Sequence, residues 1–120
     1  MTITEYFIPG GYLRVDNATG AVAIANSTAI TRPARLMSVT VKFSAAPTTS
    51  ENLTITKDAR AGAAYDAVLL TTDPSATSAT SILYQPDADL WLEPGDAIAT
   101  AYTNTDTRTY GLLVTVIETV

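Results

Sequence analysis

The chain reads as an all-β protein, an antiparallel β-sandwich of jelly-roll type, and three observations predict it. Short apolar segments recur at close, regular spacing with polar turns between them, the mark of a sandwich or barrel. Thr and Val abound, and β-branched side chains suit a pleated surface. No long segment keeps a period near 3.6, so a helical fold is excluded. The clearest single stretch is Leu90 to Ile98, where a short apolar strand stops at Pro94-Gly95 and a second strand leaves from Asp96.

Taken in order, the elements fall into two regions. Residues 1–34 are loosely patterned. Tyr6-Phe7-Ile8 is a short apolar piece, Pro9-Gly10-Gly11 breaks it, and Tyr12 to Val15 follows. A turn is expected from Asp16 to Gly20, then small apolar residues from Ala21 to Ile30, with Arg32-Pro33 as a second break. This region is expected to be a loosely structured N-terminal arm lying along a neighbouring subunit, or else the first hairpin of the sandwich.

Residues 35–120 form the expected jelly-roll body. Leu36 to Phe43 alternates, with Val39, Val41 and Phe43 on one face and Ser38, Thr40 and Lys42 on the other, which predicts a half-buried strand. Asn52 to Thr56 repeats the alternation after the Ala46–Ser50 turn, so these two strands are expected to pair as a hairpin. Ala59 to Ala64 is a short helix or a loop. Tyr65 to Thr72 reads as a strand ending at Asp73-Pro74, and Ser81 to Gln85 as another, ended by Pro86-Asp87. The last strands are Leu90–Leu92, Ala97–Tyr102 and Tyr110–Glu118, the final one apolar on both faces and expected to be buried. Thr103 to Thr107 is a polar loop.

With 120 residues the chain can bury one core. Its net charge of -5 argues against nucleic acid, which needs a basic face. Charge is uneven: Arg14, Arg32 and Arg35 stand against Glu5 and Asp16 in the first part, while Lys42, Lys57, Arg60 and Arg108 face ten acids in the rest. No apolar stretch is long enough for a membrane helix. The N-terminus lacks the basic and apolar regions of a secretory signal, so folding in a cytoplasm is expected.

Chemistry is constrained by what is missing. Without His or Cys, no Ser-His or Cys-His nucleophile can be assembled, no disulfide forms, and zinc loses its preferred ligands. Asp87, Asp89 and Asp96 are candidates for an oxygen-only calcium site, but Asp at turns more often bonds local backbone, which is the preferred reading. No pair of carboxylates stands out as a glycosidase centre. The expectation is a non-enzymatic protein with no catalytic residue, metal or cofactor. Trp91, Tyr84 and Tyr102 lie on neighbouring expected strands and make a possible sugar-stacking face, whereas Trp91 between two leucines also suits a core edge or subunit contact.

Four features together, Leu36 to Pro47, the step Ala61-Gly62-Ala63-Ala64-Tyr65-Asp66, the Leu90 to Ile98 turn and the closing Tyr110 to Glu118 strand, resemble the small jelly-roll domains of tailed-bacteriophage virions. The turn is also similar to that of trimeric jelly rolls of the tumour-necrosis-factor and complement type. The resemblance covers the last two thirds of the chain. It implies a virion structural protein, a capsid decoration (cement) protein or head fibre, assembled in the host bacterial cytoplasm as a homotrimer. Its implied partners are the major capsid protein or other virion proteins, with no nucleic acid or membrane. The expected contact residues are Tyr6, Phe7, Tyr12, Arg14, Arg32, Arg35 and Trp91, with the basic-leaning N-terminal region on an acidic shell. The alternative is a carbohydrate- or receptor-binding module of a head or tail fibre, using Tyr84, Trp91 and Tyr102 with the loop from Thr103 to Thr109.

Overall fold

Ten strands and one 3-10 turn make up residues 2–119, which are those described by the structure, a computed structural model. The strands are β1 (Thr2–Ile8), β2 (Gly11–Gly20), β3 (Ile24–Ala29), β4 (Ala34–Phe43) and β5 (Leu53–Asp58), then, after the 3-10 turn Ala63–Tyr65, β6 (Ala67–Thr72), β7 (Ser81–Tyr84), β8 (Trp91–Leu92), β9 (Ala97–Tyr102) and β10 (Tyr110–Thr119). Every ladder is antiparallel. One sheet runs β1-β2-β10-β4-β7, with β8 also on β4, and the other runs β3-β9-β5-β6. β7 and β8 share one edge of β4 as halves of a broken strand, bridged by the Leu36 N–H donating to the Leu90 carbonyl at 3.0 Å. The order is that of a jelly roll, two Greek keys closed on each other.

The core follows from the period of two. Val39, Val41 and Phe43 on β4 meet Leu112, Val114 and Val116 on β10 in one sheet, and Leu53, Ile55 and Ile98 supply the other. All are essentially inaccessible to water. The expected face of β4 is therefore the buried one.

The expected β4–β5 hairpin does not form. Residues 44–52 carry the chain across to the opposite sheet, where β5 pairs with β6 and β9. Alternation specifies that one face is buried, and a strand meets that demand equally well beside β4 or across the core from it.

The N-terminal region is the first hairpin, not a free arm, and it continues into β3. β1 pairs with β2 from Thr2↔Asn17 to Ile8↔Gly11, and β2 lies along the full length of β10. Residues 1–34 thus supply strands to both sheets, β1 and β2 to the larger and β3 to the smaller. The expected turn at Asp16 is strand as well. Arg14 and Asp16, two apart on β2, both face inward, and the guanidinium donates to both Asp16 oxygens at 2.9 and 2.8 Å. It also donates to the Ala29 carbonyl at 2.8 Å. This fork satisfies a charge pair that is almost wholly buried.

Glu118 completes this cluster. Its carboxylate is 3.9 Å from Arg14 and 1% exposed, and neither oxygen accepts a hydrogen bond. Burial, then the charge of Glu5, push its proton affinity above the ordinary carboxyl value, against the opposing pull of Arg14 and Arg32. Such a group weighs on the folded state while ionised, fully so above its folded pKa, and the burden fades as pH falls towards the ordinary value. Glu118→Gln is therefore expected to raise Tm by a few degrees at pH 7 to 8, with the gain shrinking towards pH 4, as followed by thermal circular dichroism.

The neighbours Leu112 and Leu113 offer a direct test of the register. Leu112 is 1% exposed and Leu113 43%. Leu112→Ala should cost about 2–5 kcal/mol in urea unfolding, and Leu113→Ala less than about 0.5 kcal/mol.

Candidate contact face and aromatic cleft

Register places the outward side chains of the larger sheet in cross-strand rows, because directly opposed residues share a face. One row runs Tyr6–Leu13–Ile117–Arg35–Trp91 across β1, β2, β10, β4 and β8. A second runs Thr2–Asn17–Leu113–Thr40–Leu83 across β1, β2, β10, β4 and β7. Tyr6, Leu83, Trp91 and Leu113 are all exposed, as is Met37 at the bulge in β4. The last strand is thus buried on its inner face alone, and its outer face leaves Leu113 exposed and Ile117 partly so. Beside Leu113 the sheet surface sinks at Gly111, where a hollow of about 560 Å³ is bordered by Thr19, Thr40 and Lys42. The outer face of the second sheet differs. Along β3 and β9 its outward side chains, Ala25, Ser27, Ala29, Ala97, Ala99 and Ala101, are all small, and Val68 on β6 stands exposed in line with Ala99 and Thr56.

The seven residues expected at a contact divide three ways. Tyr6, Arg35 and Trp91 fall in one row of the larger face. Arg35 lies 3.4 Å from Asp89. Phe7 is 79% exposed on the opposite side of β1, edge-on to Tyr12 at 5.8 Å, and Arg32 stacks over the Tyr12 ring at 4.5 Å. Arg14 is buried in its fork with Asp16 and is removed from the contact set. Its position among turn-like residues hid the inward period of β2.

The expected sugar-stacking face does not assemble. Tyr102 is 3% exposed and packs on Phe43 at 5.4 Å, and burial, aided by Glu51, Asp106 and Asp73, pushes its phenol up to about 12. Tyr84 opposes Val39 and so faces inward, half-buried, with its phenol also raised by burial and by Asp87. Only Trp91 points outward. Nor is the Thr103–Thr109 loop a free binding loop. Asp106 accepts from the Thr48 and Thr49 N–H groups at 2.7 and 2.9 Å and from the Thr49 hydroxyl at 2.7 Å. Glu51 accepts in turn from the Thr105 N–H and hydroxyl, both at 2.7 Å. Asn104 donates to the Val22 and Arg108 carbonyls.

The turn after β8 builds a second feature. Asp96 is buried, and its two oxygens accept the Arg60 N–H and the Glu93 N–H, each at 2.8 Å. Burial opposes ionisation, but those two donors, with Lys57 and Arg60 nearby, hold its carboxyl below the usual value. Gly95 takes a φ of +99°, and its missing side chain leaves room for the Arg60 stem. Asp96 thereby joins the loop after β5 to the turn after β8, and between them opens a cleft of about 560 Å³ bordered by Tyr65, Trp91, Lys57, Glu93 and Asp96. Tyr65 and Trp91 are both exposed there. Tyr65, Lys57 and Glu93 escaped the sequence reading, because Tyr65 looked like the start of a strand. Its exposure comes from the 3-10 turn that precedes β6.

Among the described residues no three acidic side chains gather to hold a metal ion. Asp96 is spent on backbone donors and Asp89 on Arg35. No family model, curated protein or solved structure matches the chain.

Asp106 supplies a pH test of the loop lock. The Thr49 N–H and hydroxyl and the Thr48 N–H lower its pKa from 3.8 to about 2. A depressed carboxylate contributes stability that is present above its unfolded value and lost as pH falls through the folded one. Exchange protection of the Thr48 and Thr49 amides is expected to hold at pH 4 and to fade towards pH 2, and Asp106→Ala should abolish it at neutral pH, read by NMR hydrogen exchange.

Proposed function

We propose that this chain is a non-enzymatic structural protein of a phage virion, a capsid decoration protein that joins neighbouring subunits through the outer face of its larger sheet. The observation that carries the reading is the placement of four large side chains, Leu83, Leu113, Tyr6 and Trp91, in water on two cross-strand rows of that face. Large apolar side chains gathered in water on one face mark an interaction site, and aromatics with Arg are the residues that anchor such contacts. The resemblance to phage jelly rolls supplies the setting, and the absence of His and Cys fits a role in assembly.

On this reading three copies pack their larger sheets about a common axis, and the trimer seats on the major capsid protein with β1, Arg32 and Phe7 at its margin. A saccharide- or receptor-binding fibre module is the second reading, favoured by the exposed Tyr65 and Trp91 in one cleft.

Light scattering on the purified chain should give three times the 12.6 kDa chain mass. Leu113→Lys should reduce it to one chain mass with an unchanged circular-dichroism spectrum. A wild-type monomer at micromolar concentration, or a trimer indifferent to Leu113→Lys, would remove the contact face. Immunogold labelling of purified particles should mark the head shell, and label confined to tails would transfer the protein to the second reading.

A further inference from the structure

We infer that the cleft between Tyr65 and Trp91 is a binding site for a neutral saccharide. The inference does not rest on the capsid role: Tyr65, Lys57 and Glu93 lie outside the outer face of the larger sheet, and Trp91, at the end of its row on β8, is the residue that the cleft and that face share.

Two large aromatic side chains border one cleft and remain 68% and 56% exposed, Tyr65 and Trp91 respectively. The hydrophobic effect drives such groups under cover unless something else occupies them. The cleft volume, about 560 Å³, lies in the range of small-molecule sites, roughly 300–1,000 Å³.

The walls are held in advance of any ligand. Asp96 clamps the Arg60 and Glu93 backbone from below. The turn itself is pinned to the end of β3, with the Gly95 N–H donating to the Ile30 carbonyl and the Ile30 N–H to the Asp96 carbonyl, both at 2.9 Å. Preorganisation of this kind lowers the entropy lost on binding. Asp96 is 2% exposed and each of its oxygens holds a backbone donor, so it is a positioning residue.

Besides the Tyr65 hydroxyl, the cleft offers an ammonium and a carboxylate to a ligand. Lys57 Nζ lies 3.9 Å from Asp96, too far to commit its protons to a strong hydrogen bond, and the Glu93 carboxylate is exposed. A ligand for this site has a flat apolar face to lie on an aromatic ring, hydroxyl groups that accept from an ammonium and donate to a carboxylate, and no negative charge. A pyranose meets all three conditions. Glu93 and the acidic chain as a whole repel phosphates and uronic acids.

Trp91 is the single tryptophan of the chain, so its fluorescence reports the cleft directly. The full chain is titrated with cellotetraose, maltotetraose, chitotetraose and, as an anionic control, tetragalacturonate. A saturable change in emission with at least one neutral tetraose is expected, and none with the anionic one. Tyr65→Ala and Glu93→Gln should each weaken binding at least about tenfold, while Tm and the solution mass stay at wild-type values. No saturable change with any neutral tetraose up to about 10 mM, or equal binding by both variants and wild type, would overturn the site. Because mass is measured in the same samples, loss of the saccharide site and loss of the subunit contact register separately.

Discussion

The period of two along β10 is the constraint from which the rest of the molecule follows. This strand lies between β2 and β4 and touches both along its length. Its even-numbered residues Leu112, Val114 and Val116 build the core. Its odd-numbered residues Leu113 and Ile117 stand on the outside with Thr115 between them. A strand buried on one side commonly carries polar residues on the other, and here that side sets Leu113 and Ile117 among Gly111, Thr115 and Thr119. One strand therefore both supplies the centre of the core and carries part of the surface on which a second subunit is proposed to sit.

Charges inside the protein sit where the apolar core gives out. Arg14, Asp16 and Glu118 occupy inward positions near β1, none of whose side chains is fully buried. Arg14 and Asp16 neutralise each other through a fork and so tolerate burial, whereas Glu118 has no comparable donor and keeps its proton more tightly. Asp96 solves the same problem with backbone donors, and in doing so determines the spacing of the cleft walls. A single buried carboxylate thus links the fold to the proposed ligand site.

Much of the fold was legible along the chain. The strands from β4 onward stood close to their expected places because Pro and Gly punctuate them and because alternation names their buried faces. The Pro94-Gly95-Asp96 turn was equally visible. What the alternation did not carry was partner choice: β4 and β5 satisfy the same pattern in opposite sheets. β2 was broken too early because Asp16-Asn17 and Gly20 are turn formers by local chemistry, and here the buried partner Arg14 overrides that preference. The same error put Arg14 on the surface.

The contact and ligand surfaces divide along similar lines. Composition alone excluded thiol and imidazole chemistry, and the aromatic residues were recognised as the ones able to make contacts. Which of them share a surface depends on register and crossover, properties of strands far apart in sequence. Tyr6, Arg35 and Trp91 fall in one row because four ladders align them, and Tyr65 meets Trp91 because Asp96 draws two distant loops together. Tyr102, so near Trp91 along the chain, lies in the opposite sheet facing the core. Local pattern names which side of a strand is apolar, and long-range pairing names its neighbours, since the free energy of that choice resides in contacts no short window of residues contains.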